Sequence, residues 1–188
     1  MANPDLNVYE EEFAVKKLLP FYERIYFFEI DRKNSLRERL NFPVSILILT
    51  LGVTAYFFNN LPTLSPIILL CIFYLSLFLL IMSQGFTLYF LIRSIFRYKY
   101  RYISNITRID TTIRSLKKYN DSVPESKRRN IEQEFAYFLI EQYQSAASIN
   151  SRNNNVKTGY LFRAMCAIVI TVVILIISVF LLYLCRVM

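Results

Sequence analysis

The sequence contains no histidine, so the commonest general base and metal ligand is missing from the whole chain of 188 residues. Glycine is almost absent as well. Its three occurrences, Gly52, Gly85 and Gly159, are too scattered to form a glycine-rich dinucleotide loop or a P-loop. Because nothing in the sequence resembles a catalytic site, we do not expect an enzyme, and we expect no cofactor.

Cysteine is also scarce, and its positions exclude two further classes of site. All three cysteines, Cys71, Cys166 and Cys185, lie in apolar segments. Their spacing provides neither a disulfide framework nor a set of metal ligands. We therefore predict no metal site and no disulfide-stabilised fold.

The abundant residues are apolar: they make up 55% of the chain, and the mean hydropathy is +0.35. They come in three blocks, Val44–Phe58, Ile67–Ile92 and Ala164–Cys185. The second block has 26 residues without a formal charge, more than the ~20 that a helix needs to cross ~30 Å of hydrocarbon. The third is long enough to span, and the first lies at the low edge of the range. We predict an all-α integral membrane protein with three transmembrane helices.

The first two blocks are separated by a short segment with turn chemistry. Asn59 and Asn60 can end one helix, and Pro62 prevents its continuation. Ser65 can cap the next helix, and Pro66 suits its first position. The pattern predicts a tight transmembrane hairpin over residues 43–92.

The charges that flank the hairpin predict its orientation. The connecting loop contains no lysine or arginine. Basic residues stand on both sides of the hairpin: Arg32, Lys33, Arg37 and Arg39 before it, and Arg93, Arg97, Lys99 and Arg101 after it. By the positive-inside rule both flanks are cytoplasmic. The acidic start of the chain does not resemble a signal peptide. We predict a bacterial inner-membrane protein with a cytoplasmic N-terminus and, after a third span at residues 161–188, a C-terminus outside.

Residues 1–42 are predicted to form a cytoplasmic amphipathic helix, kinked or broken near Pro20. Its apolar residues recur at helical spacing: Phe13, Leu18, Phe21, Ile25 and Phe28. One interpretation is that this stripe packs on the other cytoplasmic helices. The other is that the helix lies in the headgroup zone of the bilayer.

Residues 93–160 are predicted to form a basic cytoplasmic helical hairpin. The segment Arg93–Arg163 contains 14 basic and 6 acidic residues. If the membrane helix continues into the cytoplasm, Arg93, Arg97 and Arg101 share one face. A turn near Asn120 and a capping-box pattern, Ser122–Glu125, predict a new helix that opens at Lys127. Residues 148–158 read as a polar linker.

Basic residues interleaved with tyrosines can neutralise phosphates and stack bases. We therefore predict a surface that binds a nucleotide, an oligonucleotide or another nucleic acid such as DNA. The candidate residues are Arg97, Tyr98, Lys99, Tyr100, Arg101, Tyr102, Arg108, Arg114, Lys117, Lys118, Lys127, Arg128 and Arg129. The alternative is a solvated cytoplasmic domain whose basic residues only follow the positive-inside rule.

The second membrane helix carries a line of small polar residues. The candidates for a pore lining are Ser76, Ser83, Thr87 and Arg93. The alternative is that the small residues allow close helix packing and that Gln84 hydrogen-bonds across a helix interface. Three spans cannot enclose an aqueous path alone, so a channel has to be a symmetric homo-oligomer.

This order of elements, together with the size of the chain and its basic cytoplasmic face, resembles the small membrane effectors of bacterial anti-phage defence. It is similar to the two-transmembrane effector domains associated with nucleotide synthases and to the oligonucleotide-gated effectors of Hailong-type defence. The resemblance covers the whole chain but includes no diagnostic motif, so no site residue is carried over from it. It implies a channel whose gating kills or arrests the cell, and a partner nucleotidyltransferase that makes the nucleotide or oligonucleotide ligand.

Two further hypotheses remain open at this stage. In the first, the chain is not a channel but a membrane scaffold or accessory subunit whose cytoplasmic helices recruit a protein partner. In the second, it is a lipid-binding membrane organiser. Binding that weakens as salt rises would favour the nucleotide hypothesis, because phosphate neutralisation is salt-dependent.

Overall fold

The computed structural model describes residues 14–62, 66–103 and 106–187, and every regular element within these ranges is helical. A π-helical turn, Ala14–Leu18, precedes the first α-helix. The α-helices are α1, Leu19–Glu38; α2, Asn41–Asn59; α3, Ile67–Ile95; α4, Ile106–Ser122; and α5, Ile131–Val187. A single 3₁₀ turn, Glu125–Lys127, lies between α4 and α5. The prediction of an all-helical chain is confirmed for this part of the protein.

Three helical segments of the described chain are long and apolar enough to cross a membrane. They contain the three apolar blocks of the sequence, which lie in α2, in α3 and in the second half of α5. Length and composition are the basis of this statement. Insertion itself, and the sidedness of the termini, remain predictions.

The chain divides into two compact units. The first, called here the polar unit, comprises Met1–Lys33 and Lys99–Asn154. The second, called the apolar unit, comprises Asn34–Tyr98 and Asn155–Met188. The two units meet at three points along the chain: residues 33/34 inside α1, residues 98/99 after α3, and residues 154/155 inside α5. The four segments predicted from the sequence end instead at residues 42, 92, 160 and 188.

The apolar unit is a bundle of α2, α3 and the second half of α5. One core cluster joins Phe57, Phe73 and Leu181, and a second joins Leu47, Leu91 and Leu161. Because residue 57 packs near 73 and residue 47 near 91, α2 and α3 are antiparallel, as the hairpin prediction requires. Most of the outward-facing side chains of the three helices are large and apolar.

The start of the connector between α2 and α3 agrees with the prediction. Helix α2 ends at Asn59, and the Asn60 amide nitrogens bond to two carbonyls of the last turn, Phe57 through the backbone and Tyr56 through the side chain. Pro66 is the capping residue of α3, one position before the predicted place. The predicted cap Ser65 lies outside the described residues.

In the polar unit, α1 packs against α5 through a stripe that shares Ile25 with the predicted one but is otherwise different. Tyr26 is buried against Ala146 and Ala147, whereas Phe21 and Phe28 are exposed. The physical reason is that two adjacent alanines leave room for the Tyr26 ring. The predicted position Phe13 lies outside the described residues.

The helix changes from π to α geometry between Leu18 and Leu19, next to the predicted break at Pro20.

Two predicted breaks in regular structure are wrong. The polar linker at residues 148–158 is helical and belongs to α5, because its asparagines find hydrogen-bond partners on neighbouring backbone. The predicted capping box at Ser122 is absent: α4 continues to Ser122, whose hydroxyl donates to the Tyr119 carbonyl. The cap of α5 is Asn130, whose side-chain oxygen accepts the N–H groups of Glu132 and Gln133 at 3.1 and 3.4 Å.

Candidate anion-binding surface

The basic stretch that follows α3 is not helical. Helix α3 ends at Ile95, and Arg97 has a φ of 76°, in the left-handed region that favours glycine. The predicted alignment of Arg93, Arg97 and Arg101 on one helix face is therefore wrong. The reason is this turn at Arg97, after which residues 98–103 have no helical structure. The Arg97 side chain is exposed.

Asparagines of α5 hold the backbone of the following residues in place. The side-chain amide of Asn150 donates to the Arg101 carbonyl and accepts the Arg101 N–H, both at 2.9 Å. Asn153 donates to the Lys99 carbonyl at 2.8 Å. The Arg101 guanidinium donates to the Ser145 hydroxyl at 2.6 Å. Residues 99–101 thus pair with α5 through side chains, in place of a backbone ladder.

A buried polar network lies at the end of this contact. Asn154, which is fully buried, donates to both the carbonyl and the carboxylate of Glu29 at 2.8 Å. Its oxygen accepts the Tyr100 hydroxyl at 2.7 Å. Arg32 stands 3.6 Å from the Glu29 carboxylate. The network satisfies a carboxylate that is itself only 5% exposed.

The three tyrosines predicted to stack bases all have engaged hydroxyl groups. Tyr98 donates to the Arg93 carbonyl, and burial raises the pKa of its hydroxyl, which therefore stays protonated at neutral pH. Tyr102 accepts a hydrogen bond from Lys33 at 2.7 Å. The Lys33 ammonium also lies over the Tyr100 and Tyr102 rings, at 5.1 and 5.3 Å from their centroids. Of the three, only Tyr102 is exposed.

The connection between α4 and α5 is closed by another asparagine. Asn120 donates to the Arg129 carbonyl at 2.8 Å and accepts the Arg129 N–H at 2.9 Å. The Arg129 guanidinium lies over the Tyr119 ring at 4.9 Å and contacts the Glu134 carboxylate at 3.3 Å. These contacts bring the end of α4 beside the residues that precede α5. The segment 117–129 is called the tip below.

The tip carries four cationic side chains that are exposed and form no ion pair within the described chain: Lys117, Lys118, Lys127 and Arg128. Two other predicted ligand residues do have carboxylate partners. Arg114 contacts Asp110 at 2.7 Å, and Arg129 contacts Glu134. Arg108 is exposed near the start of α4, outside the tip. The structure therefore brings the two predicted lysine and arginine clusters together around Asn120.

The tip and the Lys99–Tyr102 stretch are separate places in the polar unit. Asn130 caps α5 beside the tip, and Asn150 on the same helix binds Arg101. Twenty residues of helix correspond to about 30 Å. A mononucleotide cannot contact both places at once, so the predicted single surface becomes two sites, or one site for an extended ligand.

The four predicted pore residues lie between the helices of a single chain. Ser76 accepts a hydrogen bond from Ser178 at 3.1 Å, and Ser83 lies 2.6 Å from the Thr171 hydroxyl. Thr87 is fully buried and donates to the Ser83 carbonyl. Gln84 donates to Thr54 at 2.8 Å, which is the interhelical bond expected from the packing interpretation. A pore-lining role for these residues stays a prediction.

The fourth predicted pore residue, Arg93, is half-buried at the end of α3. Its guanidinium donates to the Tyr160 hydroxyl at 3.1 Å and lies 5.3 Å from the centre of that ring. Arg163 lies over the same ring at 5.6 Å. The Nε atom of Arg93 is buried and has no acceptor in the part of the chain that the structure describes.

Sequence reasoning missed the residues that organise these sites. Asn154 and Glu29 form the buried polar network and Asn150 binds the Arg101 backbone, yet the asparagines lie in the predicted linker and no pattern in the sequence singled out Glu29. The available signal was their spacing, since Asn150 and Asn154 are four apart and so share one helix face. Comparison with protein-family models, with curated proteins and with solved structures gives no match to this chain.

Proposed function

We propose that the chain is a membrane-embedded effector that assembles into an oligomeric ion channel and is gated by an anionic nucleotide or oligonucleotide bound at the tip. In this proposal the apolar unit lies in the bacterial inner membrane and the tip lies in the cytoplasm. A partner nucleotidyltransferase makes the ligand, and the opened channel acts in anti-phage defence. The defence context rests on the resemblance in the order of elements.

The observation that carries the proposal is the set of exposed cations at the tip. Lys117 and Lys118 belong to the last turns of α4, and the bonds between Asn120 and Arg129 hold the segment that carries Lys127 and Arg128 at the end of that helix. Like charges on one segment repel each other. Binding of a phosphate group there is favoured, because its negative charge interacts with several cations at once. Lysine and arginine are the side chains that bind phosphate groups.

Membrane insertion and oligomer formation are supported by the surface of the apolar unit. Several of its polar groups are buried and bond across helices, as Gln84 does with Thr54, and its outward side chains are mostly apolar. Such a surface is suited to lipid. A pore therefore has to form between chains. Ser45, Gly52 and Asn59 are exposed at intervals of seven residues along α2 and are the candidates for that contact.

Gating requires that the ligand binds the open and closed states with different affinity. Helix α5 contains both the residues that follow the Asn130 cap and the apolar block Ala164–Cys185. A ligand at the tip therefore acts on an element that also contributes to the membrane bundle. This continuity supports a channel that responds to cytoplasmic binding.

A second candidate function is a scaffold that recruits a cytoplasmic protein. It is favoured by the aromatic side chains that α1 leaves uncovered, since Phe21, Phe27 and Phe28 are 46%, 50% and 62% exposed. Exposed aromatic clusters are typical of protein-binding surfaces. The scaffold needs neither a pore nor an anionic ligand.

The experiment that separates the two is native mass spectrometry of the detergent-purified protein from its own host, with and without nuclease. The channel proposal predicts a discrete oligomer that carries a nuclease-sensitive mass. The double variant Lys117→Glu/Lys118→Glu should lose that mass and keep the oligomer. The matched control is Arg24→Glu/Arg152→Glu, which makes the same change in charge on exposed residues of the polar unit outside the tip.

The result that would overturn the proposal is a monomer or dimer with no anionic ligand, which would leave the scaffold as the better account. Loss of the bound mass in both double variants would show that overall charge, and not the tip, determines binding.

A further inference from the structure

A groove of about 460 Å³ lies between α3 and α5 on the outer surface of the apolar unit. Apolar side chains form most of its walls, among them Leu79, Met82, Phe86, Phe90, Cys166 and Ile170. The groove extends along α5 from Ile174 to Arg163. Eleven residues of helix correspond to about 16 Å, which is the length scale of a lipid acyl chain lying in one leaflet of a bilayer about 30 Å thick.

One end of this apolar groove carries positive charge. Arg163 lines the groove at the position where the apolar block of α5 begins. Arg93 lies close by, because both guanidinium groups contact the Tyr160 ring, at 5.3 Å for Arg93 and 5.6 Å for Arg163. Neither arginine has a carboxylate partner among the described residues. Two cations thus share one aromatic ring without a neutralising anion.

The apolar unit has little acidic charge with which to supply that anion. Over residues 34–98 and 155–188 the sequence has seven basic residues and one acidic residue, Glu38, a net charge of 7 − 1 = +6. Arg163 is exposed and Arg93 is half-buried, and two cations that contact the same ring repel each other. A bound anion that reaches Arg163 relieves this repulsion. The adjoining apolar groove indicates that the same molecule has a long apolar part.

We propose that this groove binds an anionic phospholipid, with its phosphate at Arg93 and Arg163 and one acyl chain along Met82, Phe86 and Ile170. The proposal rests on the membrane insertion proposed above but not on the channel or on the ligand of the tip. A soluble nucleotide fits the groove poorly, because apart from Arg163 the only polar side chain in its wall is Ser83. That hydroxyl is already bonded to Thr171.

The test is native mass spectrometry of the full chain released from detergent that contains equimolar phosphatidylcholine and phosphatidylglycerol. The wild-type protein should retain phosphatidylglycerol with about a tenfold preference, the effect of one charge-assisted contact. Arg163→Gln should remove the preference. The matched control Arg186→Gln, which removes the same charge at the far end of α5, should keep it. Double substitution of Lys117 and Lys118 by glutamate should keep it too.

A second pair of variants tests the groove without changing charge. Cys166→Trp fills the groove and should reduce retention of both lipids, whereas Cys71→Trp alters an exposed position of α3 outside the groove and should not. Millimolar inorganic phosphate should not displace the lipid. Displacement by phosphate combined with normal binding by the Cys166→Trp protein would overturn the proposal in favour of a soluble anion. Equal retention of the two lipids would overturn it directly.

Alkaline carbonate extraction of host membranes keeps this inference separate from the proposed function. A protein that stays in the membrane fraction but shows no lipid preference would refute only the lipid site. A protein released by carbonate would refute membrane insertion, and with it both proposals.

Discussion

The side chain of Asn154 bonds to both the carbonyl and the carboxylate of Glu29, each at 2.8 Å, and both residues are buried. A carboxylate in such a place is costly unless donors surround it. Replacing Asn154 by leucine removes the hydrogen bonds to the carbonyl and the carboxylate of Glu29, and the Arg32 guanidinium at 3.6 Å does not replace the bond to the carbonyl. We expect the protein to lose on the order of 3 kcal/mol of stability, measured as a lower thermal midpoint in detergent. Asn153→Ala, which removes a bond from a less buried asparagine, should cost clearly less, and equal losses would contradict this account.

Asn150 is expected to protect the backbone of residues 99–101. In the variant Asn150→Ala, the N–H and carbonyl groups of Arg101 lose their partner, and the stretch should separate more often from α5. Trypsin should then cleave after Lys99 and Arg101 several times faster. The control Ser145→Ala removes only the side-chain bond of Arg101 and should leave the cleavage rate nearly unchanged. Equal rates in all three proteins would show that Asn150 does not hold this stretch.

The bond between Gln84 and Thr54 should contribute measurably to the packing of α2 on α3. A double-mutant cycle with Gln84→Leu and Thr54→Val should give a coupling energy of about 0.6 kcal/mol and at most about 1.7 kcal/mol, as for other buried bonds in membrane proteins. Unfolding in mixed micelles provides the measurement. Thr54→Val combined with Ser178→Ala should show no coupling, since Ser178 bonds to Ser76.

Arg97→Gly should stabilise the protein. A residue other than glycine at a φ of 76° carries a conformational cost of about 1 kcal/mol, which glycine avoids. The thermal midpoint should therefore rise. Lys99→Gly is the control: it is not in the left-handed region, so glycine there should lower the midpoint slightly. If Arg97 also contacts an anionic ligand, the more stable Arg97→Gly protein should bind that ligand more weakly.

The capping residue of α5 can be tested against the one that the sequence suggested. Asn130→Ala removes the acceptor for the N–H groups of Glu132 and Gln133 and should cost about 1 kcal/mol. Ser122→Ala should have little effect, because its hydroxyl bonds only within the last turn of α4. Hydrogen exchange at Glu132 and Gln133 reports the local change. Faster exchange in the Ser122 variant than in the Asn130 variant would restore the capping-box interpretation.

The sequence by itself determined the helical class, the three apolar helices and the helix end at Asn59 and Asn60. These features depend on local chemistry: uncharged runs long enough to span a membrane, and amides or prolines at helix ends. The clustering of basic residues around Asn120 could also be predicted, because both clusters lie next to one turn in the chain. Long-range partners did not contribute to any of these features.

Only the tertiary structure decided how the polar residues are used. In the sequence, Asn150 and Asn154 have the composition of a polar linker. In the structure, their amides bond to the Arg101 carbonyl and the Glu29 carbonyl, groups that would destabilise the fold without a partner. Arg93 and Arg163 are 70 positions apart, and only the packing of α3 on α5 brings them to one tyrosine ring. Hydrogen bonds and charge pairs depend on the distance between two groups in space, and the number of residues between them along the chain does not specify that distance.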